Sequence, residues 1–260
     1  MPVGTTLAAP GLVDYSSGTL LVAPNMGWGT MPLEEELVRR LGRPRHFVCV
    51  ENMANLAALG ELWLGQGQKW GDFVRISGDV GVGSALVAGG GLLRFGSGLG
   101  GELGHITVDP EGPECACGSR GCLEKVVGQE ALLRAAGLEA TVGSTIAFPG
   151  GGISALVDSA LKGDPRTIQA LSDAGRILGA TIAAAVNVVA PNTIVLGGMF
   201  AQLYPWLSGP LKDELEKRSY LARHSEVAVV RSDLGPLAAA RGAATLALRA
   251  VCADPLLVER

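Results

Sequence analysis

Between residues 46 and 65 the period of the polarity pattern changes. Residues 46–50, HFVCV, form a β-type apolar run that ends at Glu51 and Asn52, and apolar positions then recur at Met53, Leu56, Ala57, Gly60, Trp63 and Leu64. A spacing of i, i+3, i+4, i+7 marks one face of an amphipathic helix, so the pattern predicts a helix over 52–65 whose buried stripe opens at Met53. Along the rest of the chain the same reading gives strands over 4–8, 18–22, 73–77, 84–88, 192–196 and 227–230. It gives helices over 33–41, 129–136, 153–162, 165–189 and 237–251. The tripeptide Ala9-Pro10-Gly11 and the run GDVGVG read as turns. FPGGG at 148–152 reads as a helix–helix loop, and 94–124, rich in glycine, histidine and cysteine, as a loop and metal region. Strands and helices mix throughout, which makes the class α/β. In such sheets the strand-to-helix turn is where ligand-binding groups collect, so the run ENMAN at 51–55 draws notice.

Composition narrows the function classes. The 260 residues suffice for one large domain or two small ones, and 48% hydrophobic with 18% charged residues excludes a disordered chain. The longest apolar stretch, 177–194, is broken by Asn187, Pro191 and Asn192, so it reads as a buried helix leading into a strand and not as a membrane span. The start, MPVGTTLAAPG, lacks the basic and apolar regions of a secretory signal, which points to the cytoplasm. A net charge of −4 offers no basic footprint, so DNA binding by this chain alone is not expected. Five cysteines, three of them crowded together, fit a reducing compartment and a metal better than a disulfide framework.

The cluster lies in HITVDPEGPECACGSRGC, which supplies His105, Cys115, Cys117 and Cys122. Three thiolates and an imidazole close a tetrahedron around Zn²⁺ with no position left for water, the structural type of site. The competing reading is three ordinary reduced cysteines in a loop, but free cysteines prefer burial to glycine-rich turns. Cys49 and Cys252 sit in apolar runs and are expected in the core.

Taken in order, APGLVD, APNMGW, ENMAN, GGELGH, CACGSRGC followed by LE, VLGG and LAAARGAA resemble the ROK family of repressors, open reading frames and sugar kinases. The resemblance covers essentially the whole chain. It implies two actin-like (ribonuclease-H-like) lobes with a hexose held in the cleft. Residues 1–50 would be what remains of an incomplete N-terminal lobe, completed by the helix within 237–260. Residues 51–236 would form the larger C-terminal lobe with its zinc loop at 102–124. Carried over residue by residue, Asn52, Glu102, His105 and Glu124 match sugar contacts, and Gly11 and Asn25 match weaker ones. Carboxylates, an amide and an imidazole suit hydroxyls that both donate and accept hydrogen bonds. His105 could serve twice, with one ring nitrogen on zinc and the other toward the sugar. The plainer alternative makes Glu102 and Glu124 solvated loop acids and Asn52 a helix cap.

Three departures from the family's kinases shape the expected function. Met53 stands where those kinases carry the aspartate that takes the proton from the attacking hydroxyl. SGDVGVG, with Asp79, replaces a GTG-type phosphate turn, and the sequence starts after the D-x-G-x-T strand. The resemblance therefore implies a catalytically inactive, sugar-binding effector domain of a ROK-type transcriptional regulator without its helix-turn-helix. The alternative is an ATP-dependent sugar kinase, glucokinase-like or acting on an N-acetylhexosamine. A sugar is the implied small-molecule partner. A homo-oligomer is implied as well, because a shortened lobe leaves strand edges to cover.

Overall fold

The computed structural model describes residues 4–42, 47–94, 99–138 and 152–258. In chain order the elements are β1 (Gly4–Ala9), β2 (Leu12–Asp14), β3 (Thr19–Val22), α1 (Leu33–Leu41), β4 (Phe47–Asn52), α2 (Met53–Leu64) and α3 (Gly67–Trp70). Next come β5 (Phe73–Gly78), β6 (Val82–Ala88), β7 (Gly91–Leu92), α4 (Leu123–Val127), α5 (Gln129–Ala136), α6 (Ile153–Leu161) and α7 (Pro165–Val189). The chain closes with β8 (Thr193–Gly198), α8 (Met199–Gln202), α9 (Tyr204–Arg218), β9 (Ala228–Arg231) and α10 (Ala238–Ala253). His46 and most of FPGGG lie outside the described residues. Among the described residues no helix is long and apolar enough to cross a membrane.

Two compact units share the chain. One comprises Met1–Gly71, Ala85–Gly101 and Pro236–Arg260; the other comprises Asp72–Ser84 and Glu102–Gly235. The division does not fall at residue 50: 51–71 and 85–101 group with the N-terminal residues.

In the first unit β1 and β4 pair in parallel, with Ala9 opposite Asn52, and β2 and β3 form an antiparallel hairpin. Ala9, Val13, Leu20, Ala23 and Val50 make a buried cluster against which Leu33 and Leu37 of α1 pack. Helix α2 departs from its expected pattern. Every residue from Ala54 to Leu62 is buried, so the helix is covered on all sides and has no single inward stripe. Met53 itself is 47% exposed, because it occupies the first helical position, outside the covered stretch. Much of the cover comes from α10, whose backbone approaches α2 so closely that a Cβ on Gly242 would stand 1.8 Å from the carbonyl oxygen of Leu56. Cys49 is buried as expected, but Cys252 is exposed. The buried face of α10 runs through Ala238, Gly242, Ala243 and Ala247, and at helical pitch Cys252 falls on the opposite side.

The second unit is built on the parallel strands β5, β8 and β9, with β8 between the other two. Strand β6 carries the chain out of this unit after Ser84. The buried face of the long helix α7, which includes Leu171, Leu178, Ile182 and Val186, packs largely on α9. Asp164 caps α7, its carboxylate accepting from the Thr167 N–H at 2.8 Å.

Candidate functional site

In the first unit the strand-to-helix turn is organised by Asn52, the last residue of β4 and the N-cap of α2. Its Oδ1 accepts from the N–H groups of Ala54 (2.7 Å) and Asn55 (3.2 Å), and its Nδ2 donates to the carbonyl of Gly11 (2.7 Å). The plainer reading of Asn52 as a cap is thus realised, and one Nδ2 hydrogen is still available to another acceptor. Gly11 sits at φ +80°, and Asn25 is exposed on a short 3₁₀ turn, Pro24–Met26.

Beneath the turn lies Glu51, 1% exposed. Its Oε1 accepts from the Asn52 N–H (2.7 Å) and from Asn55 Nδ2 (2.9 Å), and its Oε2 accepts from Arg94 Nη2 (2.6 Å). The Arg94 guanidinium also lies over the Tyr15 ring, 4.1 Å from its centroid. Glu51, Asn55 and Arg94 were not singled out by the sequence. Nothing in the spacing links Arg94 to Glu51, and only the fold shows Glu51 and Asn55 buried together.

In the second unit Glu102 precedes a short 3₁₀ turn, Leu103–His105, that His105 closes, and Cys122 and Glu124 mark the start of α4. The loop between them folds tightly. Gly121, at φ +59°, passes so close to the Asp109 carbonyl that any side chain there would collide with it. The result brings together one ligand atom each from His105, Cys115, Cys117 and Cys122, all within 4.8 Å of one another. Cys117 and Cys122 sulfurs are 3.7 Å apart, and Cys115 Sγ lies 3.7 Å from His105 Nδ1. Zinc–sulfur bonds of about 2.3 Å at tetrahedral angles place two sulfurs about 3.8 Å apart, close to the Cys117–Cys122 spacing, so the four groups are consistent with a zinc site.

Glu124 is buried beside this cluster, with Cys115 donating to its Oε1 at 3.0 Å and His105 Nδ1 at 3.9 Å. The other ring nitrogen of His105, Nε2, is 3.9 Å from Glu102 Oε2. Glu102 is 39% exposed; desolvation pushes its carboxyl above the ordinary value, His105 offsets part of this, and Glu124 adds to it. In the β5–β6 turn the Asp79 N–H donates to the Gly81 carbonyl at 2.9 Å. Desolvation raises the Asp79 carboxyl and Arg75 offsets part of the rise, so this group holds its proton more readily than a solvated aspartate.

Known proteins are similar to this chain. Residues 2–250 match the model of the ROK family. A glucokinase of Halalkalibacterium halodurans is 36% identical over 82% of this chain and 66% of its own length. A xylose repressor of Caldicellulosiruptor bescii is 27% identical over 97% of this chain and 64% of its own length. The chain thus spans a little under two thirds of the length of these relatives. Among solved structures, a ROK-family glucokinase from Streptomyces griseus in complex with glucose and AMPPNP is 31% identical with a TM-score of 0.79, covering 93% of this chain and 80% of that one. A ROK-family transcriptional regulator, a homologue of the E. coli MLC protein, is 30% identical with a TM-score of 0.81, covering 99% of this chain and 66% of that one. The glucokinases overturn the expectation that the chain is not an enzyme: with kinases 31–36% identical to it, sugar kinase activity stays open to the chain. The motif series, the α/β architecture and these relatives agree, and the chain belongs to the ROK family.

Proposed function

We propose that the protein binds a sugar and that His105 links the binding groups to a structural zinc ion. The observation that carries this is the placement of His105: Nδ1 faces the cysteine cluster while Nε2 faces the Glu102 carboxylate. Metal on Nδ1 fixes the tautomer and leaves Nε2–H as a donor on the side of the Glu102 carboxylate. Zinc requires Cys115 as the thiolate, so loading ends the Cys115 donation to Glu124 Oε1. Asn52, with its remaining Nδ2 hydrogen, and the neighbouring Gly11 and Asn25 are the corresponding groups of the first unit. Zinc supplies geometry here and takes no part in chemistry.

The finer reading is the effector region of a sugar-responsive regulator, in which sugar binding shifts a conformational equilibrium. It draws support from the repressor relatives. A second reading, an ATP-dependent sugar kinase, draws support from the glucokinase relatives. One pair of experiments separates them. Calorimetric titration of zinc-loaded protein with xylose, glucose and N-acetylated hexosamines tests sugar binding; a folded sample that ignores all of them defeats the proposal. A coupled ADP-release assay with MgATP then compares the natural chain with Met53→Asp. Turnover in the natural chain, lost in Glu102→Ala, establishes the kinase. Sugar binding with turnover only in Met53→Asp establishes the regulator.

A further inference from the structure

Arg94 lies 43 positions from Glu51 in sequence, yet its guanidinium is ion-paired with a carboxylate that is 1% exposed. A carboxylate so placed is costly unless every lone pair in use has a donor. Glu51 meets that demand with donors of two kinds. Arg94 neutralises Oε2, while Oε1 holds the Asn52 backbone N–H and the Asn55 side chain. Asn52 in turn spends its side chain on the first N–H groups of α2 and on Gly11. The chain of contacts therefore runs from Arg94 through Glu51 to the backbone of Asn52, and from there to the orientation of the amide. Tyr15 completes the arrangement by holding the guanidinium from its face.

We propose that Arg94 is a positioning residue for sugar recognition, acting through the buried Glu51 carboxylate to fix the Asn52 amide. The inference rests on the sugar-binding reading above. Arg94 touches no sugar. Its contribution is a preorganised Asn52, and without it the turn pays an ordering cost when sugar binds.

The test uses zinc-loaded full chain and four proteins: the natural chain, Arg94→Lys, Arg94→Met and Arg94→Met/Glu51→Gln. Sugar affinity is measured by calorimetry, with thermal stability and amide hydrogen exchange of residues 52–55 measured alongside. Arg94→Met is expected to weaken sugar binding by tenfold or more and to speed exchange at Asn52, Ala54 and Asn55. Arg94→Lys, which keeps the charge but loses the planar fork, is expected to recover part of both effects. The double variant removes the unpaired charge, so it is expected to regain thermal stability over Arg94→Met while remaining weak for sugar. A general structural role would instead return stability and affinity together. Unchanged affinity in Arg94→Met, with the natural chain binding normally, overturns the proposal. Should the natural chain bind no sugar, the functional reading falls by itself, and exchange at 52–55 decides the rest: protection unaltered in Arg94→Met refutes the positioning role as well.

Discussion

Removing the Asn52 side chain offers the sharpest test of the turn that joins β4 to α2. Asn52→Ala deletes two interactions of different kinds. One is the cap on α2, made to N–H groups at 2.7 and 3.2 Å, of the sort whose loss costs about 1 kcal/mol. The other is the 2.7 Å donation to Gly11, a net contribution of about 1 kcal/mol. The expected total is about 2 kcal/mol. With a urea m-value near the upper end for small proteins, about 3 kcal/mol/M, the transition that includes the first unit should move down by about 0.7 M. Asn52→Asp separates the two contributions. A carboxylate keeps the cap and suits a helix N-terminus, but it cannot donate to Gly11, so it should cost about half as much. Urea unfolding followed by far-ultraviolet circular dichroism reads both shifts. Equal losses in the two variants would refute the division between cap and Gly11 bond, and a loss under about 0.5 kcal/mol in Asn52→Ala would refute the role of the side chain altogether.

Other consequences are equally open to measurement. Gly242→Val should destabilise the first unit by about 3 kcal/mol in chemical unfolding, since the added atoms meet the Leu56 carbonyl and an overpacked helix pair must separate. Purified protein should carry one equivalent of zinc by mass spectrometry, lose it in Cys122→Ser, and bind it less well as pH falls, because protons compete for the thiolates. On α1, the Arg39 and Arg40 hydrogen bonds hold the Glu36 carboxyl down to about 2. Its stabilising contribution is thus present above the ordinary carboxylate range and is lost as pH falls toward 2. Because the group is fully exposed the effect on unfolding should be slight, and carboxyl carbon NMR should place the midpoint near 2. Met53→Asp should leave stability nearly unchanged, since residue 53 is 47% exposed at the start of a helix; a large loss would mean that the methionine is a packing group.

What could be read from the sequence divides by range. The end of β4 and the start of α2 were legible because the period changes within a few residues, and Asn52 is a strong capping type. The clustering of His105, Cys115, Cys117 and Cys122 was legible because these residues fall within one short loop, where spacing alone brings them close. Met53 was misread. An apolar residue at a helix start matches the stripe pattern as well as an interior one does, and position within the first turn decides its exposure. The all-round burial of α2 was hidden too. It depends on α10, which arrives from the far end of the chain, and on small residues such as Ala54 and Ala58 that a periodicity count treats as filler. Arg94 and Glu51 were beyond reach for the same reason: only the fold brings them together.

The first unit is assembled from three stretches of the chain, the last beginning at Pro236. During synthesis, β1, β4 and α2 leave the ribosome long before the segment that covers them. Until α10 arrives, the face of α2 that it covers stays bare, and contacts of such large sequence separation form slowly. The nascent protein therefore passes through an interval in which its second unit can complete itself while the first cannot. Chaperone holding of the emerging chain would act on α2 during that interval.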